Sequence, residues 1–173
     1  MVSGRDIPIM ILGETGTGKD LLAQAIHSDS KRAAQPFVSV NCASIPDTLI
    51  ESELSGYEEG AFTGARKKGS IGKILQANGG TLFLDEIGYM PKHLQARLLR
   101  VLQKRKVSPL GAGKEVEVDL AVVSAMHKNL KDMIAWGEFS EDLYYRPNGL
   151  VVSLPALPER SDFELVVQKI LLA

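Results

Sequence analysis

One cysteine, Cys42, stands in 173 residues. That excludes an internal disulfide and any multi-cysteine zinc site within one chain, and makes a reducing cytoplasm the natural home. A charge bias is also missing: 20 Lys and Arg meet 21 Asp and Glu, for a net charge of -1. No global positive field therefore draws the chain onto nucleic acid or an anionic membrane, and any DNA-binding function must lie in a separate domain. No run approaches the roughly 20 apolar residues of a membrane span, and residues 1–6 lack a charged-then-apolar secretory pattern. The histidines His27, His93 and His127 show neither HExxH spacing nor a nearby carboxylate cluster, which argues against zinc.

What is present is an ordinary globular composition, 45% hydrophobic and 24% charged, in a length that fits one domain. Short apolar runs at residues 7–12, 37–40, 81–84, 120–123 and 150–154 read as five buried strands. Ile, Leu and Val follow one another there without polar alternation, which suits a parallel sheet covered on both faces. Helical patterns between the runs argue an α/β fold, a three-layer αβα sandwich with a five-stranded parallel sheet. Residues 92–104 form one such helix. Leu94, Leu98, Val101 and Leu102 make its core stripe, and His93, Gln95, Arg97 and Arg100 lie largely off it. Residues 55–72 and 107–117, rich in glycine and charge, read as projecting loops or hairpins. Residues 161–173 read as a helix capped by Ser161, with Glu164 three residues on.

Gly13-Glu14-Thr15-Gly16-Thr17-Gly18-Lys19 matches GxxxxGK and lies between the strand ending at Leu12 and a helical run at residues 21–27. In that context the motif is a phosphate cradle: glycines let backbone N–H groups turn inward, the helix N-terminus adds positive potential, and Lys19 reaches the β- and γ-phosphates. Asp20 and Leu21 complete the expected nucleotide contacts. Asp20 takes the place of the usual Ser or Thr magnesium ligand, so the metal depends on other groups. Thr81-Leu82-Phe83-Leu84-Asp85-Glu86, an apolar strand ending in two carboxylates, supplies them. Asp85 would hold Mg2+ directly or through water, and Glu86 would orient the attacking water. A helix cap or turn is the other reading of two adjacent acids. The cofactors expected are ATP and Mg2+.

The string Gly60-Ala61-Phe62-Thr63-Gly64-Ala65 is highly specific. Together with the sequences at residues 41–43, 79–88, 98–103 and 141–146, it resembles the sigma-54-dependent transcription activators, whose signature loop is GAFTGA. The resemblance spans nearly the whole chain. It implies an AAA+ P-loop ATPase that assembles into a ring, commonly a hexamer, and uses hydrolysis to remodel the sigma-54 polymerase. Gly60, Ala61, Phe62, Thr63, Gly64 and Ala65 would touch sigma-54. An apolar Phe62 on a glycine-flanked loop is costly to expose without a partner, although it could instead fold back on its own domain. By the same resemblance Asn41 would hold the catalytic Glu86 in check, the other reading being a strand-end amide that satisfies local backbone. Arg146 would act as an arginine finger toward a neighbouring subunit, or pair with Glu141 or Asp142 at the surface. His127 falls at the sensor I position, where a satisfied polar residue is the other reading. Cys42 is expected to pack in the core.

Departures from the family fall on the finger and sensor segments. Ser140 stands where members usually carry a second arginine, and Met126 puts a thioether where a hydroxyl is usual. Pro109, Pro147 and Pro158 replace frequent Arg, Leu and Arg, whereas the acidic Asp20 is common in the family. Two readings stay open: a magnesium-dependent ATPase using Lys19, Asp85, Glu86 and Arg146, and a non-hydrolysing nucleotide-binding interaction module. A metabolite phosphotransferase is disfavoured, because the glycine loop presents Phe62 instead of a polar pocket. The family's helical lid would follow Ala173, and its regulatory and helix-turn-helix DNA-reading domains are not expected within these 173 residues, so nucleotide binding and assembly by them are expected to be weak.

Overall fold

The computed structural model describes residues 7–14, 16–60, 69–127, 129–144 and 149–155. The chain begins with β1 (Ile9–Leu12), α1 (Lys19–Ser28), β2 (Phe37–Asn41) and α2 (Asp47–Ser55), then two short strands, β3 (Gly56–Tyr57) and β4 (Ser70–Ile71). Next come α3 (Lys73–Gln76), β5 (Thr81–Asp85), a 3-10 turn (Ile87–Tyr89) and α4 (Lys92–Lys104). The strands β6 (Lys106–Val107), β7 (Val116–Glu117) and β8 (Ala121–Met126) precede α5 (Leu130–Ala135), α6 (Glu141–Tyr144) and β9 (Leu150–Ser153).

β2, β5, β8, β1 and β9 pair in that order, all parallel, as the five apolar runs imply. The strand period of two divides the core between the two faces. Ile11, Phe83, Val123 and Ala125 point to one side, where Leu22, Ala23 and Ile26 of α1 cover them. Met10, Leu82, Leu84, Val122 and Met126 point to the other, against Leu94, Leu98 and Leu102 of α4 and Leu130 and Met133 of α5. Apart from the two alanines, each such side chain removed from water contributes about 1.5–3 kcal/mol, and the result is the expected three-layer sandwich. His27 pins α1 to the sheet. Its Nε2 donates to the Gln35 carbonyl at 3.0 Å, which leaves Nδ1 to accept from the Thr81 hydroxyl at 2.7 Å.

Several expected boundaries move. β8 extends to Met126, beyond the expected end at Val123, because it lies between β5 and β1 and its register with β1 pairs Met10 with Ser124 and Leu12 with Met126. β2 and β5 each gain a residue, so that Asn41 faces Asp85 across the ladder. Both glycine-rich stretches have hairpin bases: β3 pairs with β4 and β6 with β7, antiparallel. The two hairpins are also joined to each other, by Glu58 N–H to the Leu110 carbonyl at 2.8 Å and Leu110 N–H to the Gly56 carbonyl at 2.9 Å. α4 has the expected bounds, but Gln95 is fully buried, contrary to its expected place off the core stripe. Its Nε2 donates to the carbonyls of Met90 (2.9 Å) and Glu138 (3.1 Å), and its Oε1 accepts the Ser140 N–H at 2.8 Å. Three backbone partners make burial of this amide tolerable. The helix expected at residues 161–173 lies outside the described residues, as do Pro147 and Pro158.

Candidate functional site

In an open parallel sheet the ligand crevice lies beyond the carboxyl ends of the strands, where the strand order reverses. Here β1 is followed by the distant β2, and the turn from β1 into α1 occupies that point. Gly16 and Gly18 carry that turn with φ of 83° and 86°, the left-handed region that side chains disfavour. Thr17 closes it: both its N–H (3.2 Å) and its Oγ1 (2.7 Å) donate to the Glu14 carbonyl. A β-carbon on Gly13 would stand 2.8 Å from Thr17 Oγ1 and 3.2 Å from the Leu154 carbonyl, so this position is closed to larger residues.

Lys19 is buried, and its ammonium donates to the carbonyls of Gly13 at 2.8 Å and Glu14 at 2.9 Å. Phosphate oxygens could replace those two neutral acceptors with charged ones. Among the described residues no side chain caps the N-terminus of α1, whose first-turn N–H groups can serve an anion. Asp20 and Leu21 are exposed on that same turn.

β5 ends in Asp85. Burial, and then the neighbouring Glu86 charge, raise its carboxyl above the usual carboxylate range, while the Glu86 N–H and the Lys19 ammonium pull it back down. A cation at Asp85 would relieve the repulsion from Glu86. Glu86 leaves the strand with φ 53° and ψ 47°, and its N–H donates to Asp85 Oδ1 at 2.9 Å. The left-handed turn brings its carboxylate to the end of β8, where His127 Nδ1 donates to Glu86 Oε2 at 2.5 Å. Tyr89 stacks on the imidazole with ring centroids 6.0 Å apart and planes 24° apart. One residue earlier, Met126 is fully buried and its Sδ accepts the Gly88 N–H at 3.1 Å.

Among the described residues no hydrogen bond joins Asn41 to Glu86. The Asn41 Oδ1 accepts the Ala43 N–H at 3.0 Å, which is the strand-end role. The sheet order gives the reason: β5 lies between β2 and β8, and Glu86 turns toward β8. Cys42 packs in the core as expected, and its N–H donates to the Asp85 carbonyl at 2.9 Å. Burial, with help from the Asp85 and Glu86 charges, pushes its thiol up to about 12.

Beside the phosphate turn lies an open groove of about 630 Å³, lined among others by Gly13, Glu14, His127, Lys131, Tyr144 and Ser153. The structure thus brings Gly13, Glu14, Gly16, Thr17, Gly18 and Lys19 into one cradle and sets Asp85, Glu86 and His127 at neighbouring strand ends. Thr15, residues 61–65 and Arg146 lie outside the described residues. Sequence reasoning missed Tyr89, whose exposed ring gives no period signal, and the Gly88–Met126 contact between residues far apart in the chain.

No helix among the described residues is long and apolar enough to cross a membrane. Residues 1–153 match the profile of the sigma-54 interaction domain. The chain is 54% identical over 165 residues to the acetoin catabolism regulatory protein of Cupriavidus necator, covering 95% of this chain and 25% of that protein. It is 52% identical over 171 residues to the hydrogenase transcriptional regulatory protein HoxA of the same organism, covering 98% of this chain and 35% of that one. The chain therefore spans about a quarter to a third of the length of these relatives. Among solved structures it is similar to NtrX from Brucella abortus, with a TM-score of 0.83 and 41% identity over 92% of this chain and 35% of that one. NtrX has also been solved with ADP and with ATP. On the span of the profile match and the level of identity, this chain belongs to the sigma-54 interaction domain family.

Proposed function

We propose that this chain binds Mg-ATP and hydrolyses it, in a ring of like subunits, to remodel the sigma-54 form of RNA polymerase for transcription activation. The observation that carries the reading is that Lys19, on the first turn of α1 and hydrogen-bonded to the phosphate turn, lies near enough to Asp85, beside Glu86, for its charge to lower the Asp85 carboxyl. The residues present fit the nucleotide: the glycine turn is open above Gly16, Lys19 sits on neutral carbonyls, and the adjoining groove has the size of a small-molecule site. Bound Mg-ATP would supply a phosphoanhydride whose cleavage releases the free energy for remodelling.

Lys19 and the backbone N–H groups of the turn would hold the phosphates, with Asp20 and Leu21 alongside. Asp85 would hold the magnesium ion, and Glu86 would orient and polarise the attacking water. Arg146 would act from a neighbouring subunit. Residues 60–65 would touch sigma-54, a partner that the family's name and its GAFTGA string support. DNA would be read only by a separate domain of the parent protein.

One observation favours the second reading, a nucleotide-binding module without turnover. Ser140, in place of the family's second finger arginine, accepts the Leu143 N–H at 3.4 Å and so serves the start of α6. Calorimetry with ADP and ATPγS, and magnesium-dependent phosphate release over a range of protein concentration, test both. Binding lost in Lys19→Ala, with release that rises cooperatively with concentration and is abolished by Glu86→Gln, supports the ATPase. Release that appears only in Ser140→Arg supports the second reading, and wild-type protein that binds neither nucleotide refutes both.

A further inference from the structure

We infer that Gln95 is the positioning residue that sets the segment leading to Arg146 against the turn that follows Glu86 in the same subunit. This role rests on the ATPase reading above and adds the side chain that readies one subunit to complete its neighbour's site. Gln95 is fully buried in α4, and its amide faces both segments. Toward the first, its Nε2 donates to the Met90 carbonyl at 2.9 Å, where the 3-10 turn after Glu86 closes. Toward the second, Nε2 also donates to the Glu138 carbonyl at 3.1 Å, and Oε1 accepts the Ser140 N–H at 2.8 Å. These bonds use both amide protons and the amide oxygen, so the bracket is complete. Ser140 in turn starts α6, accepting the Leu143 N–H on its hydroxyl at 3.4 Å and the Tyr144 N–H on its carbonyl at 3.2 Å. Arg146 follows two positions after the end of that helix in the sequence.

The two ends of the bracket are not equally held. The turn after Glu86 has anchors of its own: the Gly88 N–H on the Met126 sulfur at 3.1 Å, and the Tyr89 and Met90 N–H groups on the carbonyls of Glu86 (3.1 Å) and Ile87 (3.0 Å). Among the described residues, the hydrogen bonds that tie residues 138–140 to the elements before them run to the Met133 carbonyl and to Gln95. Loss of the amide therefore frees the 138–140 end and leaves the Glu86 turn standing. Buried Phe139 keeps that segment on the core, but apolar packing has no direction and does not set its register. Ser140 also stands where the family usually carries a second arginine, so the charge offered to the neighbour rests on Arg146 alone. Misplacing such a group by about 1 Å slows a reaction on the order of a hundredfold. Gln95 thus governs what a subunit does for its neighbour, and not what it binds itself.

Mixed assemblies of the whole chain test this. Glu86→Gln lacks the water-orienting carboxylate and keeps Arg146, and Arg146→Ala is the reverse. An equal mixture of the two rebuilds about a quarter of the pockets, each from one subunit's Glu86 and the next subunit's Arg146. Gln95→Leu is expected to bind ATPγS within about twofold of wild type by calorimetry. At saturation it should release phosphate on the order of a hundredfold more slowly, and be rescued by Glu86→Gln but not by Arg146→Ala. Leu102→Ala, which empties a buried site on the same helix and spares the Gln95 bonds, controls for lost stability and should release phosphate near the wild-type rate below its Tm. Hydrogen exchange reads the bracket without nucleotide or neighbour: Gln95→Leu should speed exchange at Ser140 and leave Gly88 protected. Rescue by Arg146→Ala, or lost nucleotide binding, puts the fault in the subunit's own pocket and overturns the role. Equal loss of protection at Gly88 and Ser140 overturns it too, as does equal slowing in Leu102→Ala. Where Gln95→Leu does not fold, Gln95→Met, closer in length, carries the same arms. A wild type that releases no phosphate, or a Glu86→Gln and Arg146→Ala mixture that recovers none, sinks the ring ATPase itself and the role of Gln95 with it.

Discussion

Gln95 is the buried polar group on which the packing of α4 makes the sharpest demand. Replacing it by leucine, of similar volume, orphans two carbonyls, Met90 and Glu138, and one N–H, that of Ser140. Two of these three bonds are only partly buried, so water can reach them after a small relaxation. The low end of the usual penalty, about 1 kcal/mol each, applies. Leucine returns somewhat less than 1 kcal/mol of transfer free energy, leaving a net loss of about 2–3 kcal/mol. For a domain of this length that is a fall in Tm of about 5–10 °C. Gln95→Glu should be worse, because its carboxylate would face two carbonyls from a fully buried position. Urea denaturation gives the free energy, and hydrogen exchange at Ser140 and Leu143 locates the damage. The same substitution at the exposed Gln103 is the control and should change stability by less than about 0.5 kcal/mol. A Gln95→Leu protein within 1 kcal/mol of wild type, with unaltered exchange at Ser140, would refute the assignment of these three bonds.

Asp85→Asn should stabilise the nucleotide-free protein at pH 7. A folded-state carboxyl raised above its unfolded value makes the folded state bind more protons, so stability falls as pH rises through that window. The gain in Tm should vanish below the ordinary carboxylate range near pH 4, and a gain that persists there counts against the assigned cause. Gly88→Ala should destabilise by about 1–3 kcal/mol, because the added methyl meets the Met126 side chain with its sulfur at 2.8 Å. Adding Met126→Thr should recover part of that loss in chemical denaturation, and strictly additive losses would contradict the contact. Cys42 should resist a thiol reagent in native buffer at pH 8 and react fully in denaturant, since its thiol is buried and its pKa is about 12. Native-state labelling at a free-thiol rate would show that the strand ends around Asp85 are open.

The sheet was legible because a parallel sheet covered on both faces needs uninterrupted apolar runs, and 81–84 or 120–123 can hardly be anything else. The phosphate turn was legible because glycines at positions 16 and 18 answer a backbone requirement, the positive φ observed at both. Residue type misled at Gln95. It lies three and seven positions before Leu98 and Leu102, on the buried side of the helix, and only its amide suggests otherwise. Its partners Glu138 and Ser140 lie more than 40 residues away, in a loop that no local period brings back to α4.

The Glu86 contact was beyond the sequence for a stronger reason. Pairing Asn41 with Glu86 needs only that β2 and β5 be neighbours, which they are, with Asn41 opposite Asp85. The side to which a residue turns on leaving a strand depends on its own backbone angles, and nothing in Asp85-Glu86-Ile87 announces that Glu86 is left-handed. Once it is, its carboxylate approaches β8. The extra residues that carry β8 through Met126 then put His127 within hydrogen-bond distance. Two local facts, a φ of 53° and a strand that ends three residues beyond its apolar run, thus decide which side chain meets Glu86. Both arise from tertiary pairing: β8 is held to its end by β1, and the Glu86 turn by Gly88 on Met126.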